Sequence, residues 1–186
     1  MKALTIFITV LFTLPFFGCK KNIADQQIIP IPNGDFELWD DVPNLLSWET
    51  NSCPACVPPY ETYIVQKVTD VSKGRFAAKF IFNNVYNSFA NNKFSIPLHP
   101  TLLTGYIKSN IANGDTGIIH VDLFSRNNIV DNGNFYETSS HVNYRKIEIQ
   151  ISQFSSAVDS ALIRIVGGKK QDTELYIDNL VFLKNN

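Results

Sequence analysis

The chain has 186 residues, a net charge of −1 at pH 7, 18% charged residues and 45% hydrophobic ones. That size and apolar content suit one globular domain with a proper core. The balanced charge, with no long basic run, lacks the electrostatic footprint that a nucleic-acid partner requires.

The N-terminus reads MKALTIFITVLFTLPFFGCKKN. Lys2 precedes an apolar run, Ala3–Phe17, which Gly18-Cys19 closes. A charged start, a greasy middle and a small residue before the cut make a secretory signal. The run is shorter than the roughly 20 residues of a membrane-spanning helix, and Pro15 interrupts it. It resembles a bacterial lipoprotein signal, in which the cysteine after the cut receives the lipid. Phe16 and Phe17 depart from the leucine and small residue usual there. The resemblance implies a signal peptide over 1–18, lipidation at Cys19, and an exported protein anchored to the outer membrane, facing the periplasm or the surface. Lys20-Lys21 would then solubilise the start of a tether. In Ile23–Pro32, Pro30 and Pro32 bar a central strand and favour extended chain. Residues 19–32 are thus expected to be a lipidated tether, and 33–186 the folded domain.

Beyond the tether, short runs rich in Val, Ile, Phe, Tyr and Thr alternate with Asn, Gly, Asp and Ser clusters, the pattern of strands and turns. In chain order the expected strands are Asp35–Leu38, Tyr63–Thr69, Phe76–Phe82, Lys93–Ile96, Leu102–Ser109, Ile118–Ser125, Tyr144–Ile151, Ala161–Val166 and Leu175–Leu183. In Lys146-Ile147-Glu148-Ile149-Gln150-Ile151 every second residue is isoleucine, so one face is apolar and the other wet. Ile119, Val121 and Leu123 likewise share a face, with Ile118, His120, Asp122 and Phe124 opposite. Half-wet strands with short turns indicate antiparallel sheets. The expected fold is all-β: an antiparallel two-sheet sandwich of jelly-roll type. Arg126–Asn134 reads as a polar loop whose sharpest bend is Asn132-Gly133.

Cys53-Pro54-Ala55-Cys56 admits three readings. A redox motif would need a βαβ setting. A zinc site would need a second pair of ligands, which three scattered histidines do not supply. A disulfide between Cys53 and Cys56, closing a proline-rich loop, suits an oxidising compartment. For catalysis, Asp115, Asp122, Asp131, Glu137 and Glu148 show no marked pair of the kind a glycosidase uses. No serine elbow or HExxH is present. Ser139, Ser140 and His141 are merely adjacent, whereas a triad converges in space. The chain is therefore expected to be no enzyme.

Four motifs in order carry a family resemblance: Asn33-Gly34-Asp35-Phe36-Glu37-Leu38-Trp39 with Trp48; Ser72-Lys73-Gly74-Arg75-Phe76-Ala77-Ala78-Lys79; Leu103-Thr104-Gly105-Tyr106-Ile107-Lys108 with Asn113-Gly114-Asp115-Thr116; and Leu175-Tyr176-Ile177-Asp178-Asn179-Leu180. Together they resemble the galactose-binding-like jelly rolls of carbohydrate-binding modules, closest in style to carbohydrate-metabolism-type domains on surface lipoproteins of Bacteroidetes-type bacteria. The resemblance implies a structural calcium near the first and last strands. Its carboxylates would come from Asp35, Glu37 and Asp178, with carbonyls from the Ser72–Gly74 turn, an oxygen set of the type calcium takes. No other cofactor is implied.

A sugar site needs aromatic faces for the ring and planar polar groups for its hydroxyls. The loop Asn83–Asn92 crowds Asn84 and Asn87 around Tyr86 and Phe89 and is the first candidate. Trp39, just past the first strand, and Tyr60, near the cysteine loop, are further candidates. The outward row His120, Asp122 and Phe124 is the second site, because such modules often bind on a sheet face. The resulting expectation is non-catalytic glycan binding, with two alternatives. One is a structural or adhesive lipoprotein that docks another envelope protein. The other is a glycoside hydrolase, which would require a facing carboxylate pair.

Overall fold

A computed structural model describes residues 26–53, 63–82, 86–151 and 157–185. Its strands are β1 (Gln26–Ile29), β2 (Glu49–Thr50), β3 (Val65–Val68), β4 (Ala77–Ile81), β5 (Phe89–Ser95), β6 (Leu102–Asn110), β7 (Gly117–Ser125), β8 (Asn128–Glu137), β9 (His141–Gln150), β10 (Ser160–Val166) and β11 (Glu174–Asn185). Among the described residues there is no helix long and apolar enough to cross a membrane.

The strands form two sheets. One has the order β3-β4-β11-β6-β9, with β1 beside the end of β11; the other is β2-β5-β10-β7-β8. Every pairing is antiparallel. From β4 onward the chain passes between the sheets at almost every connection, and the two stack as a jelly-roll sandwich. Between them lie fully buried side chains from both layers, among them Phe80, Leu103, Ile107, Leu175, Ile177 and Phe182 facing Ile119, Leu123, Ile163 and Ile165. Each such side chain contributes about 1.5–3 kcal/mol relative to exposure.

The alternating isoleucines of β9, with the one just past its end, behave as their period requires. Ile147, Ile149 and Ile151 are buried, while Lys146 and Glu148 pair at 2.7 Å in solvent. Four other segments depart from expectation. Asp35–Leu38 is no strand: Asn33 and Phe36 have positive φ, 47° and 57°, and a tight turn results, with Phe36 N–H donating to Asn33 O at 3.2 Å. Asn33 holds that turn, its Nδ2 donating to Leu38 O at 2.9 Å and Leu46 O at 2.7 Å. Phe36 is thereby turned into the core, where it stacks on Trp48 with ring centroids 5.3 Å apart.

Within the expected tether, Gln26–Ile29 is strand β1, paired in register from Gln26 opposite Asn185 to Ile29 opposite Phe182. Pro30 and Pro32 end this strand, as missing donors must, and Ile29 and Ile31 are buried. Strand β5 begins at Phe89, so it takes up the end of the expected 83–92 loop.

The expected loop Arg126–Asn134 is mostly strand β8. The bend sits earlier, at Arg126-Asn127, whose φ values of 50° and 67° suit a two-residue hairpin turn. Asn132 and Gly133 lie within the ladder, opposite Asp122 and Val121. The inward residues of β8 include Asp131, Gly133 and Glu137, so the buried face of this strand carries no hydrophobic signal at those positions.

Candidate functional site: the outer face of the five-stranded sheet

The period of two places alternate residues of β5, β10, β7 and β8 on the solvent side, and the register stacks them into rows. One row is Phe89, Val166, Ile118 and Tyr136. The next is Asn91, Arg164, His120 and Asn134, extended by Glu49 of β2. The third is Lys93, Leu162, Asp122 and Asn132. The fourth is Ser95, Ser160, Phe124 and Ile129. Neighbouring strands are about 4.8 Å apart and successive rows about 7 Å. A row of planar polar side chains therefore crosses the sheet, bordered by a row of apolar and aromatic ones.

That polar row is internally organised. His120 Nδ1 lies 2.6 Å from Asn134 Oδ1, and its Nε2 lies 2.8 Å from Asp122 Oδ1. The imidazole is held flat between two oxygens, so its plane and those of its partners are fixed before any ligand arrives. Arg164 donates from Nε to Asn91 Oδ1 at 3.1 Å, which sets the guanidinium plane as well. Lys93 Nζ stands 5.0 Å above the Phe124 ring. Tyr136 is exposed, and Phe89 is half-buried at the other end of its row.

Sequence reasoning named His120, Asp122, Phe124 and Phe89, and the fold brings all four onto this one face. It missed Arg164 and Asn134, and placed Asn91 in the expected 83–92 loop and not beside Arg164. Arg164 was legible as the outward residue of an alternating strand, but its neighbours depend on register, which spacing along the chain does not reveal. Of the remaining candidates, Asn87 bridges to Phe82 and its carbonyl accepts from Asn51 Nδ2 at 2.9 Å. Tyr86 is exposed just before β5. Trp39 packs against the core and donates from Nε1 to Phe36 O at 2.7 Å. Asn84, Tyr60, Cys19 and Cys56 lie outside the described residues. Cys53 is disulfide-bonded.

The expected metal ligands gather elsewhere, where β11 bulges between Asp178 and Val181. A cavity of about 210 Å³ is lined by Asp35, Glu37, Lys73, Gly74, Asp178 and Asn179. Asp178 Oδ2 accepts from the backbone N–H groups of Ser72 and Lys73 at 2.7 and 2.8 Å. Among the described residues its Oδ1 is buried without a partner. Burial, reinforced by the charge of Glu37, pushes the Asp178 carboxyl up from its ordinary value despite those N–H groups. Burial also opposes the charge on Glu37, but N–H groups of Arg75 and Phe76 and the Arg75 guanidinium outweigh it and hold that carboxyl below its usual range. Among the described residues, no group of three or more His, Cys, Asp or Glu is gathered tightly enough to hold a metal by side chains alone.

No protein-family model and no curated protein matches this chain. Solved structures share its fold. TmCBM61 in complex with β-1,4-galactotriose superposes with a TM-score of 0.55 at 11% identity, covering 84% of this chain and 97% of that one. A cyclase from Fischerella sp. TAU gives 0.55 at 12% identity, covering 85% and 96%. A proposed glycoside hydrolase from Bacteroides thetaiotaomicron gives 0.51 at 11% identity, covering 67% of this chain and 57% of that one. A carbohydrate-binding module and enzymes thus share this sandwich, and identities this low speak to fold alone.

Proposed function

We propose that the chain is a non-catalytic glycan-binding module and that the outer face of the five-stranded sheet is its site. The observation that carries this reading is the polar row Asn91–Arg164–His120–Asn134 beside the apolar row from Phe89 to Tyr136. Planar donors and acceptors pre-set by their own hydrogen bonds suit sugar hydroxyls, and the apolar row suits the C–H face of a ring. The fold it shares with TmCBM61, solved with a galactotriose, is in keeping with this. The test is affinity electrophoresis of the purified protein through a panel of neutral and acidic polysaccharides. At least one glycan is expected to retard it, and His120→Ala is expected to remove that retardation. Free migration through every glycan would overturn the reading.

The same proposal includes a structural calcium in the cavity at Asp178. The unpartnered Asp178 Oδ1 and the neighbouring Glu37 are hard oxygen donors, and Asp35 with carbonyls of the Ser72–Gly74 turn would complete a set suited to that ion. Its contribution would be to pin the β11 bulge to that turn, remote from the sugar face. Lipidation at Cys19 and an outer-membrane location follow from the signal-like N-terminus. Labelling with a radioactive fatty acid, abolished by Cys19→Ala, tests them.

A further inference from the structure

The glycan reading leaves open which saccharides this face prefers, and one residue bears on that. Arg164 sits on β10, a central strand with β5 on one side and β7 on the other. Its side chain is solvent-exposed. Among the described residues it enters no ion pair; its only polar contact is the Nε donation to Asn91 Oδ1. An arginine placed for solubility would ordinarily stand on a rim or beside a carboxylate. This one is tied by Nε in the middle of the sheet, so its two terminal nitrogens are held as a fixed, uncommitted fork.

The charges around it are not equivalent. Asp122, the nearest acidic neighbour in the adjoining row, is buried and engaged by His120 Nε2 at 2.8 Å. Glu49 stands at the far end of the row, beyond Asn91. Lys93 leans over Phe124 and also lies in the field of Asp159. The field over the centre of the face therefore belongs mainly to Arg164. A guanidinium fork matches a carboxylate with two parallel hydrogen bonds, and a planar, pre-oriented one loses little freedom on binding.

Resting on the glycan reading, we infer that this face selects acidic saccharides, with the carboxylate of a uronic acid residue received by the terminal nitrogens of Arg164. The sugar ring then lies along the row of Val166 and Ile118, with the side-chain amides of Asn91 and of Asn134, the latter held by His120, presented to its hydroxyls. A neutral sugar in the same place leaves the fork facing only water and gains nothing from it.

The experiment uses the full chain and a panel of uronate polysaccharides, each beside its carboxyl-reduced counterpart, in which the acid becomes a neutral sugar of the same configuration. Affinities are measured at low and high salt for wild type, Arg164→Gln and Arg164→Lys, with melting curves to confirm that the exposed substitutions leave the fold intact. At least one uronate polymer is expected to bind about tenfold or more tightly than its reduced counterpart. That preference is expected to shrink in high salt, to vanish in Arg164→Gln and to survive partly in Arg164→Lys. Equal binding of acid and reduced forms, unchanged by Arg164→Gln, would overturn the acid selectivity and leave the glycan reading standing. A protein that binds none of these polymers nor any neutral glycan would sink both.

Discussion

Gly133 of β8 lies against Ile149 of β9, at the edge where the two sheets meet. A Cβ on Gly133 would come 2.8 Å from Ile149 Cγ2 and 3.0 Å from the Gln150 carbonyl. The glycine in Asn132-Gly133 is thus used for closeness between layers and not for a turn. Gly133→Ala is expected to destabilise the fold by about 1–3 kcal/mol, the usual range for overpacking. Because Ile149 supplies the nearest atom, the double variant with Ile149→Ala should lose less than the sum of the two single changes. Urea unfolding of the three variants checks this, and strict additivity would show that the strain lies elsewhere.

Asp115 makes a second interlayer fixture with a pH signature. Its carboxylate accepts from Lys169 N–H at 2.8 Å, Lys170 N–H at 2.9 Å, the Thr173 hydroxyl at 2.7 Å and Thr116 N–H at 2.9 Å. Burial opposes its charge most strongly, yet these donors outweigh burial and hold the carboxyl below its ordinary value. A carboxyl lowered in the fold stabilises the fold above its unfolded pKa, and that contribution is lost as pH falls through the folded one. Asp115→Ala, which strands several buried donors, is expected to cost about 3 kcal/mol at neutral pH. Asp115→Asn is expected to melt lower than wild type at pH 7, with the gap closing below about pH 4. A gap that persists unchanged into acid would contradict this assignment.

Asp178 behaves in the opposite sense. Its folded carboxyl is raised, first by burial and then by Glu37, so the charged form opposes folding above the folded pKa and the penalty fades as pH falls through it. A divalent cation against the unpartnered Oδ1 would remove the penalty without acid. Calcium is therefore expected to raise the melting temperature of wild type at pH 7 and a chelator to lower it. Asp178→Asn should lose that response and, in chelator, be at least as stable as wild type. Identical melting of wild type in calcium and in chelator would remove the metal from the proposal.

These sites also show what the chain discloses before folding. The isoleucines of β9 and the alternation around His120 were plain, because each strand buries one face and the period of two is written directly into the residues. β8 was hidden because its inward positions carry Asp131, Gly133 and Glu137. Glu137 is met by Arg145 Nη2 at 2.5 Å, from the neighbouring strand β9, and Asp131 Oδ1 accepts from Asn132 N–H at 2.8 Å, with His99 from a distant segment 3.6 Å from its other oxygen. β1 was hidden by its prolines, which end the strand without preventing it. Half of the candidate face was legible for a related reason. Which residues of one strand point outward can be read from alternation. Which strand lies beside it, and in what register, depends on contacts between β10 and β5 that are some 70 residues apart in sequence.

The aromatic residues separate into those that hold the fold and those available to a ligand, and the two groups should respond differently to truncation. Trp39 is half-buried, packs on the core and donates to Phe36 O at 2.7 Å. Trp39→Ala is expected to lower stability by about 2–4 kcal/mol while leaving glycan affinity of the folded protein unchanged. Tyr136 is exposed at the end of the apolar row, opposite Ile118, and little of its ring is engaged in the core. Tyr136→Ala is expected to leave the melting temperature within about a degree or two, since surface changes fall within about 0.5 kcal/mol. Its glycan affinity should drop several-fold to tenfold, the effect of removing one aromatic platform worth about 1 kcal/mol. Melting curves and calorimetric titration of both variants decide the matter. Should Trp39→Ala abolish binding in a folded protein while Tyr136→Ala binds like wild type, the site lies at the Trp39 end of the molecule and the sheet face is ordinary surface.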